Sequence, residues 1–235
     1  MNTKTIGIIG AMEEEVEAHS AKLTSAEKLT KASMDFYSGV LNGHKVVIVR
    51  SGIGKVNAGI CTQILADLFH VDAVINTGIA GSLKAEINIG DIVISTDAVQ
   101  HDMYATGFGY KPGVIPRMET SCFQADPTLV RAAKAACEKA VPEIQAFTGR
   151  IVSGDQFISD RAVKDRILAQ FGGMCTEMEG AAIAQAAHAA GRPFMVIRAM
   201  SDTADHAANI SFDEFIVEAG ERSAQTLITF LKRLV

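Results

Sequence analysis

Two carboxylates in the stretch CTEMEGAAIAQAAHAAG (residues 175–191) stand where carboxylates are costly. The alanine-rich periodicity predicts a buried helix that ends near Gly191, and Glu177 and Glu179 open it on either side of Met178. A buried carboxylate needs a partner. No Lys or Arg follows either glutamate three or four residues on, where a helical ion pair would form. A ligand rich in hydroxyls is a natural alternative partner. Residues two apart on a helix point to different sides, so the two groups are expected to do different jobs.

Three further stretches carry chemistry. In GRPFMVIRAMSD (residues 191–202), Arg198 is flanked by apolar residues and should be buried with a carboxylate partner, for which Glu177 is the candidate. Asp202 lies where that strand ends; Ser201 and Asp202 either cap the next element or act there. In AMEEEVEAHSAKL (residues 11–23), Glu13, Glu14 and Glu15 suit the first turn of a helix. They cannot all face the same way, so one can face a pocket. SGIGKVNAG (residues 51–59) and TGIAGS (residues 77–82) read equally as tight strand-to-helix turns or as phosphate cradles. Val49 stands where a Walker A motif needs Gly, and Asn57 breaks a dinucleotide fingerprint.

These stretches must be positioned by strands and helices that the periodicity places. TIGIIG (5–10), VDAVINTG (71–78), GDIVISTDAVQ (90–100), residues 147–152 of FTGRIVSGDQFI, which leads on into a loop, and residues 191–202 read as strands, most of them continuously apolar. A short strand is expected near Met174. MDFYSGVLNGHKVVIVRSG (34–52) reads as a hairpin turning at Asn42–Gly43. Helices are expected over 11–23, 54–69, 126–141 with Asp126 as N-cap and Pro127 at the first position, 159–171, and 209–235 with a Ser211/Glu214 capping box. Residues 101–122 lack a period and read as a long loop. The alternation argues for an α/β layer with a mostly parallel central sheet, in one domain over residues 1–235. In such sheets ligands sit at the carboxyl ends of the strands, where most of the stretches above fall.

Composition excludes several classes. The 235 residues carry a net charge of −5, so there is no basic footprint for nucleic acid. No signal-peptide pattern or apolar run of membrane-spanning length appears, so neither export nor a membrane partner is expected. Cys61, Cys122, Cys137 and Cys175 have no metal spacing and read as free buried thiols of a cytoplasmic protein. The histidines are isolated, so neither a metal nor another cofactor is expected.

Seven pieces occur together in order: GIIGAMEEEV (7–16), SGIGKVNA (51–58), INTGIAG (75–81), IVSGDQFI (151–158), EMEGAAIA (177–184), RAMSD (198–202) and SFDEF (211–215). As a set they resemble the bacterial 5′-methylthioadenosine/S-adenosylhomocysteine nucleosidases of the nucleoside phosphorylase superfamily, from about residue 5 to the C-terminus. The resemblance implies a three-layer α/β/α fold with a mixed, mostly parallel sheet. It also implies hydrolysis of the N-glycosidic bond of 5′-thio-substituted adenosines, and of 5′-deoxyadenosine, to adenine and the sugar.

By that resemblance, Glu15 is the general base toward water and Asp202, with Ser201 beside it, protonates adenine N7. Glu179 holds the ribose hydroxyls next to Met178, and Arg198 helps position the water. The backbone of Ile158 reads the adenine edge, and Phe157 and Phe212 pack around purine and ribose. Ile79, Ala80 and Gly81 lie under sugar and base, and Met12, Ile53 and Glu177 complete the pocket. The family often has Ser at the position of Ile79; a backbone contact survives that difference. The resemblance further implies a homodimer in which Phe108, Tyr110 and Pro116 reach the neighbouring subunit's pocket. The residue types suit the reaction: a carboxylate stabilises a developing ribosyl cation, and a proton neutralises the departing base. Alternatives from other classes are a phosphate-dependent purine nucleoside phosphorylase, a non-catalytic purine-binding protein and a nicotinamide oxidoreductase.

Overall fold

The computed structural model describes residues 4–204 and 229–231. In chain order the elements are β1 (Thr5–Gly10), α1 (Glu17–Ser20), β2 (Thr24–Lys31), β3 (Met34–Leu41), β4 (His44–Arg50), α2 (Lys55–Asp67), β5 (Ala73–Ser82) and β6 (Ile92–Gln100). Then come β7 (Phe123–Gln124), α3 (Pro127–Ala140), β8 (Ala146–Ser153), α4 (Arg161–Phe171), β9 (Cys175–Glu177), α5 (Gly180–Ala189) and β10 (Phe194–Asp202). All the described strands belong to one sheet. The run β4–β1–β5–β10 is parallel, as is β6–β8–β9. The antiparallel pairs β10–β6 and β5–β9 close these two runs into a ring.

The apolar strands are buried on both sides, which is why they read as continuous runs rather than alternating ones. Ile9, Val47, Val49 and Val74 pack on one face with Cys61 and Leu65 of α2 and Ile183 of α5. Ile8, Val46, Ile48 and Ile75 pack on the other with Leu129, Ala133 and Cys137 of α3 and with Phe230. This is the expected α/β/α sandwich.

Local signals acted where they were clear. Asp126 accepts N–H bonds from Thr128 and Leu129 at 2.8 and 2.9 Å, with Pro127 first in α3. Asn42 and Gly43 both take the positive φ that the two-residue hairpin between β3 and β4 demands. The expected helix over 11–23 is wrong. It is a 3₁₀ turn at Glu13–Glu15 followed by the short α1, and the chain then enters β2. Every residue of β2 is exposed, so that strand carries no hydrophobic period. Cys122 is only half-buried, against expectation; the other three thiols are buried. Of the helix expected over 209–235, only 229–231 are described, and these are helical. No described helix is long and apolar enough to cross a membrane.

Candidate active site

A cavity of about 270 Å³ opens at the carboxyl ends of the strands. Glu15, Ile79, Gly81, Ile158, Glu179 and Asp202 line it, from five different segments.

Glu15 is the one buried acid of its triplet, while Glu13 and Glu14 are exposed. Its Oε2 accepts N–H bonds from Ala11 at 2.6 Å and Met12 at 3.1 Å, and its Oε1 accepts from Ile79 at 3.1 Å. Burial pushes its pKa up; the Arg198 charge and these three amides oppose that. A Cβ on Gly78 would collide with its carboxylate.

Arg198 and Glu177 form a buried ion pair behind the cavity. Arg198 Nη2 also donates to Asn76 Oδ1, and Ser153 Oγ donates to Glu177 Oε1. Glu177 Oε2 further accepts from the Gly180 amide at 2.7 Å. The pair is therefore supported at both ends, as a buried pair must be. Among the described residues, Arg198 Nε has no hydrogen-bond partner.

Glu177 ends β9 and Glu179 precedes α5, so the two acids sit at a strand-to-helix junction rather than inside the helix. Both border the cavity, but their partners differ: Glu177 faces Arg198, whereas Glu179 Oε1 accepts from the Gly54 amide at 2.8 Å. Burial, with the Glu177 charge next, pushes Glu179 up to about 8.

Gly54, at φ 97°, is where the SGIGK turn needs glycine. That turn is no phosphate cradle, because its Gly54 amide serves Glu179 and its Lys55 amide serves Asp155. The Lys55 ammonium is bound to Asp102 at 2.6 Å and to Gln100 at 2.9 Å. TGIAGS is not a cradle either; it is the buried end of β5.

Asp202 is aimed by a bulge. Along β10, Ala199 pairs with Ile79 and Met200 with Ala80, and then Asp202 pairs with Gly81. The extra residue, Ser201, returns Asp202 to the face occupied by Ile79 and Gly81. Ser201 Oγ donates to Asp202 Oδ2 at 2.8 Å, and the Ala204 amide donates to Oδ1 at 2.7 Å. A Cβ on Gly81 would lie 2.6 Å from Asp202 Oδ1, so glycine is what lets the acid lean over β5.

The structure thus brings together most of the residues singled out in the sequence. Met12, Ile53, Ala80, Phe157 and Met178 also line the cavity. Phe108, Tyr110 and Pro116 do not line it; Phe108 is 86% exposed. Phe212 lies outside the described residues.

The phosphorylase superfamily model matches residues 5–233. A 5′-methylthioadenosine/S-adenosylhomocysteine nucleosidase of Staphylococcus carnosus is 44% identical over 97% of this chain and 100% of its own length. One from a Shewanella species is 45% identical over 97% of each chain. This chain belongs to the 5′-methylthioadenosine/S-adenosylhomocysteine nucleosidase family. Among solved structures, the S-adenosylhomocysteine nucleosidase of Streptococcus pyogenes, in complex with 5-methylthiotubericidin, superimposes with a TM-score of 0.95. It is 43% identical and covers 100% of this chain and 99% of that one. The Neisseria meningitidis nucleosidase, in complex with methylthio-immucillin-A, gives 0.94 at 40% identity, over 98% and 100% of the two chains.

Sequence reasoning missed several residues of this nucleosidase-family site. Ala11, Gln156 and Thr176 line the cavity, and Asn76 and Ser153 support the ion pair behind it. Gln156 and Ser153 lie inside a motif that pointed here. Nothing in the spacing marks Thr176, whose role depends on which strand it pairs with.

Proposed function

We propose that this chain hydrolyses the N-glycosidic bond of 5′-methylthioadenosine and S-adenosylhomocysteine, releasing adenine and the 5-thioribose product. The reading extends to 5′-deoxyadenosine, which presents the same base and ribose. The observation that carries it is the gathering of Glu15, Glu179 and Asp202, all buried, around one cavity of adenine-nucleoside scale.

In this mechanism Asp202 gives or shares a proton with N7 as the bond from C1′ to N9 breaks. Glu179 holds the ribose hydroxyls and faces the developing ribosyl cation. Glu15 takes a proton from water as the water oxygen bonds to C1′. Three amides and the nearby Arg198 charge favour its carboxylate form against burial. Arg198, whose charge lies near Glu15, is assigned to positioning that water. Ser201 orients Asp202, and the Ile158 backbone is assigned to the adenine edge. Phe157 and Phe212 are assigned to stacking, and Met12, Ile53 and Met178 to the apolar walls.

The phosphorylase alternative is disfavoured by the cations near these turns. Arg50 pairs with Glu13, Lys55 with Asp102 and Arg198 with Glu177. An acidic group at Glu15 would also repel phosphate.

We further infer a cytoplasmic homodimer that uses no cofactor and binds neither nucleic acid nor membrane. Phe108, Tyr110 and Pro116 of one chain cover the other's 5′-substituent end. The high exposure of Phe108, together with exposed Ile53, Val56 and Ile60, supports such a contact.

Product analysis with 5′-methylthioadenosine, with and without phosphate, tests the reaction. Free adenine and methylthioribose, indifferent to phosphate, are expected. A methylthioribose 1-phosphate formed only with phosphate would overturn the assignment of Glu15.

A further inference from the structure

Thr176 is a cavity-lining residue that is 5% exposed, and its hydroxyl has no hydrogen-bond partner among the described residues. A buried hydroxyl without a partner is destabilising, and in a cavity wall a ligand can relieve that cost. The sheet register says which part of a ligand. Thr176 on β9 pairs with Gly81 on β5, and Gly81 pairs with Asp202 on β10. The three residues form a row across adjacent strands, and in-register neighbours share a face. Asp202 and Thr176 therefore flank Gly81 from opposite sides, their backbones separated by two strand spacings, about 10 Å. Gly81 brings no side chain of its own, and the Asp202 carboxylate leans over it from one side. A flat bicyclic base set between that carboxylate and the Thr176 hydroxyl meets a polar group on each side.

We propose that Thr176 is a specificity-determining residue whose hydroxyl donates to purine N3. The inference rests on the reading above. Asp202 is matched there to N7 and the Ile158 backbone to the adenine edge; with that edge taken as the one bearing N1 and the amino group, N3 is the unused ring acceptor. N3 lies on the same side of the base as the glycosidic bond. Thr176 lies three residues before Glu179, the group assigned to the sugar, which is consistent with that side.

The test is calorimetric binding of adenine and 3-deazaadenine, which carries C–H in place of N3. It is run on wild type, Thr176→Val and Thr176→Ser. Comparing the ratio of the two affinities between variants cancels the intrinsic difference in basicity between the two bases. Wild type and Thr176→Ser should prefer adenine by a ratio about tenfold larger than Thr176→Val does. The unliganded Thr176→Val protein should melt at the same temperature as wild type or higher, because it lacks the unpartnered hydroxyl. A purely structural threonine would instead lower the melting temperature and leave the ratio unchanged. An equal ratio in wild type and Thr176→Val overturns the proposal while leaving the nucleosidase reading intact. Failure of wild type to bind adenine at all overturns the reading itself. If Thr176→Val does not fold, Thr176→Ala carries the same comparison.

Discussion

The floor of the cavity and its mouth are built on different terms. On the floor, each acid is held by its own chain: Glu15 by three amides, Glu177 by Arg198 and Ser153, and Asp202 by Ser201 and the Ala204 amide. At the mouth, apolar side chains are left in solvent, with Ile53 54% and Phe157 46% exposed, and elsewhere on the surface Phe108 is 86% exposed. A preorganised polar floor is what charge stabilisation requires, since donors that are already fixed need no reorganisation when charge develops. An unfinished apolar mouth suits a surface that another molecule completes. Under the proposed function, the contrast fits chemistry carried by one chain and recognition of the 5′-substituent at its boundary.

The largest expected effects test the floor. Glu15→Gln or Asp202→Asn should lower kcat by about 10³-fold or more, measured as adenine release. The melting temperature should not fall in parallel, because these substitutions remove buried charge rather than packing. Arg198→Met should act on stability instead. It leaves Glu177 buried beside no cation, a loss of about 3–5 kcal/mol, or a melting midpoint lower by about 10 °C in calorimetry. Glu177→Gln should be milder. Unchanged activity and melting temperature in Glu177→Gln would show that the ion pair does not support the site.

The sheet and the floor were legible for different reasons. β1, β5 and β10 are buried on both faces, so they announce themselves as apolar runs. Arg198 within such a run, and Glu177 and Glu179 before an alanine-rich helix, are anomalies that only pairing or function explains. β2 was illegible because all of its residues are exposed and no period is written into it. α1 was over-read, because three acids and an apolar spacing suit a first helical turn as well as they suit a 3₁₀ turn. The bulge at Ser201, which aims Asp202, and the row Thr176–Gly81–Asp202 depend on inter-strand register, which no local spacing records.

A smaller effect separates the two acids of the EMEG junction by pH. The pKa of Glu179 is raised to about 8 by burial and by the Glu177 charge. The native protein therefore holds a proton there that the unfolded chain has already released, once the pH passes the ordinary glutamate range near 4.5. Its contribution to stability is full below that range and is lost as pH rises toward 8. Glu179→Gln removes this dependence. Its melting temperature relative to wild type should therefore rise by about 5 °C between pH 5 and pH 8. A constant difference across that range would mean that Glu179 is charged in the empty site at neutral pH.

The smallest effect tests the mouth. Phe108→Ala removes an exposed ring that touches none of the acids, so stability and the affinity for free adenine should stay unchanged. If the ring completes a neighbouring chain's pocket, KM for 5′-methylthioadenosine should rise by about tenfold, the loss of roughly 1.4 kcal/mol of apolar contact, with little change in kcat. Dilution should mimic the substitution: turnover per chain at low substrate should fall once the protein is mostly monomeric. Full activity per chain under dilution, with Phe108→Ala indistinguishable from wild type, would break the comparison. The mouth would then be finished by its own chain, and the exposed ring would play no part in recognition.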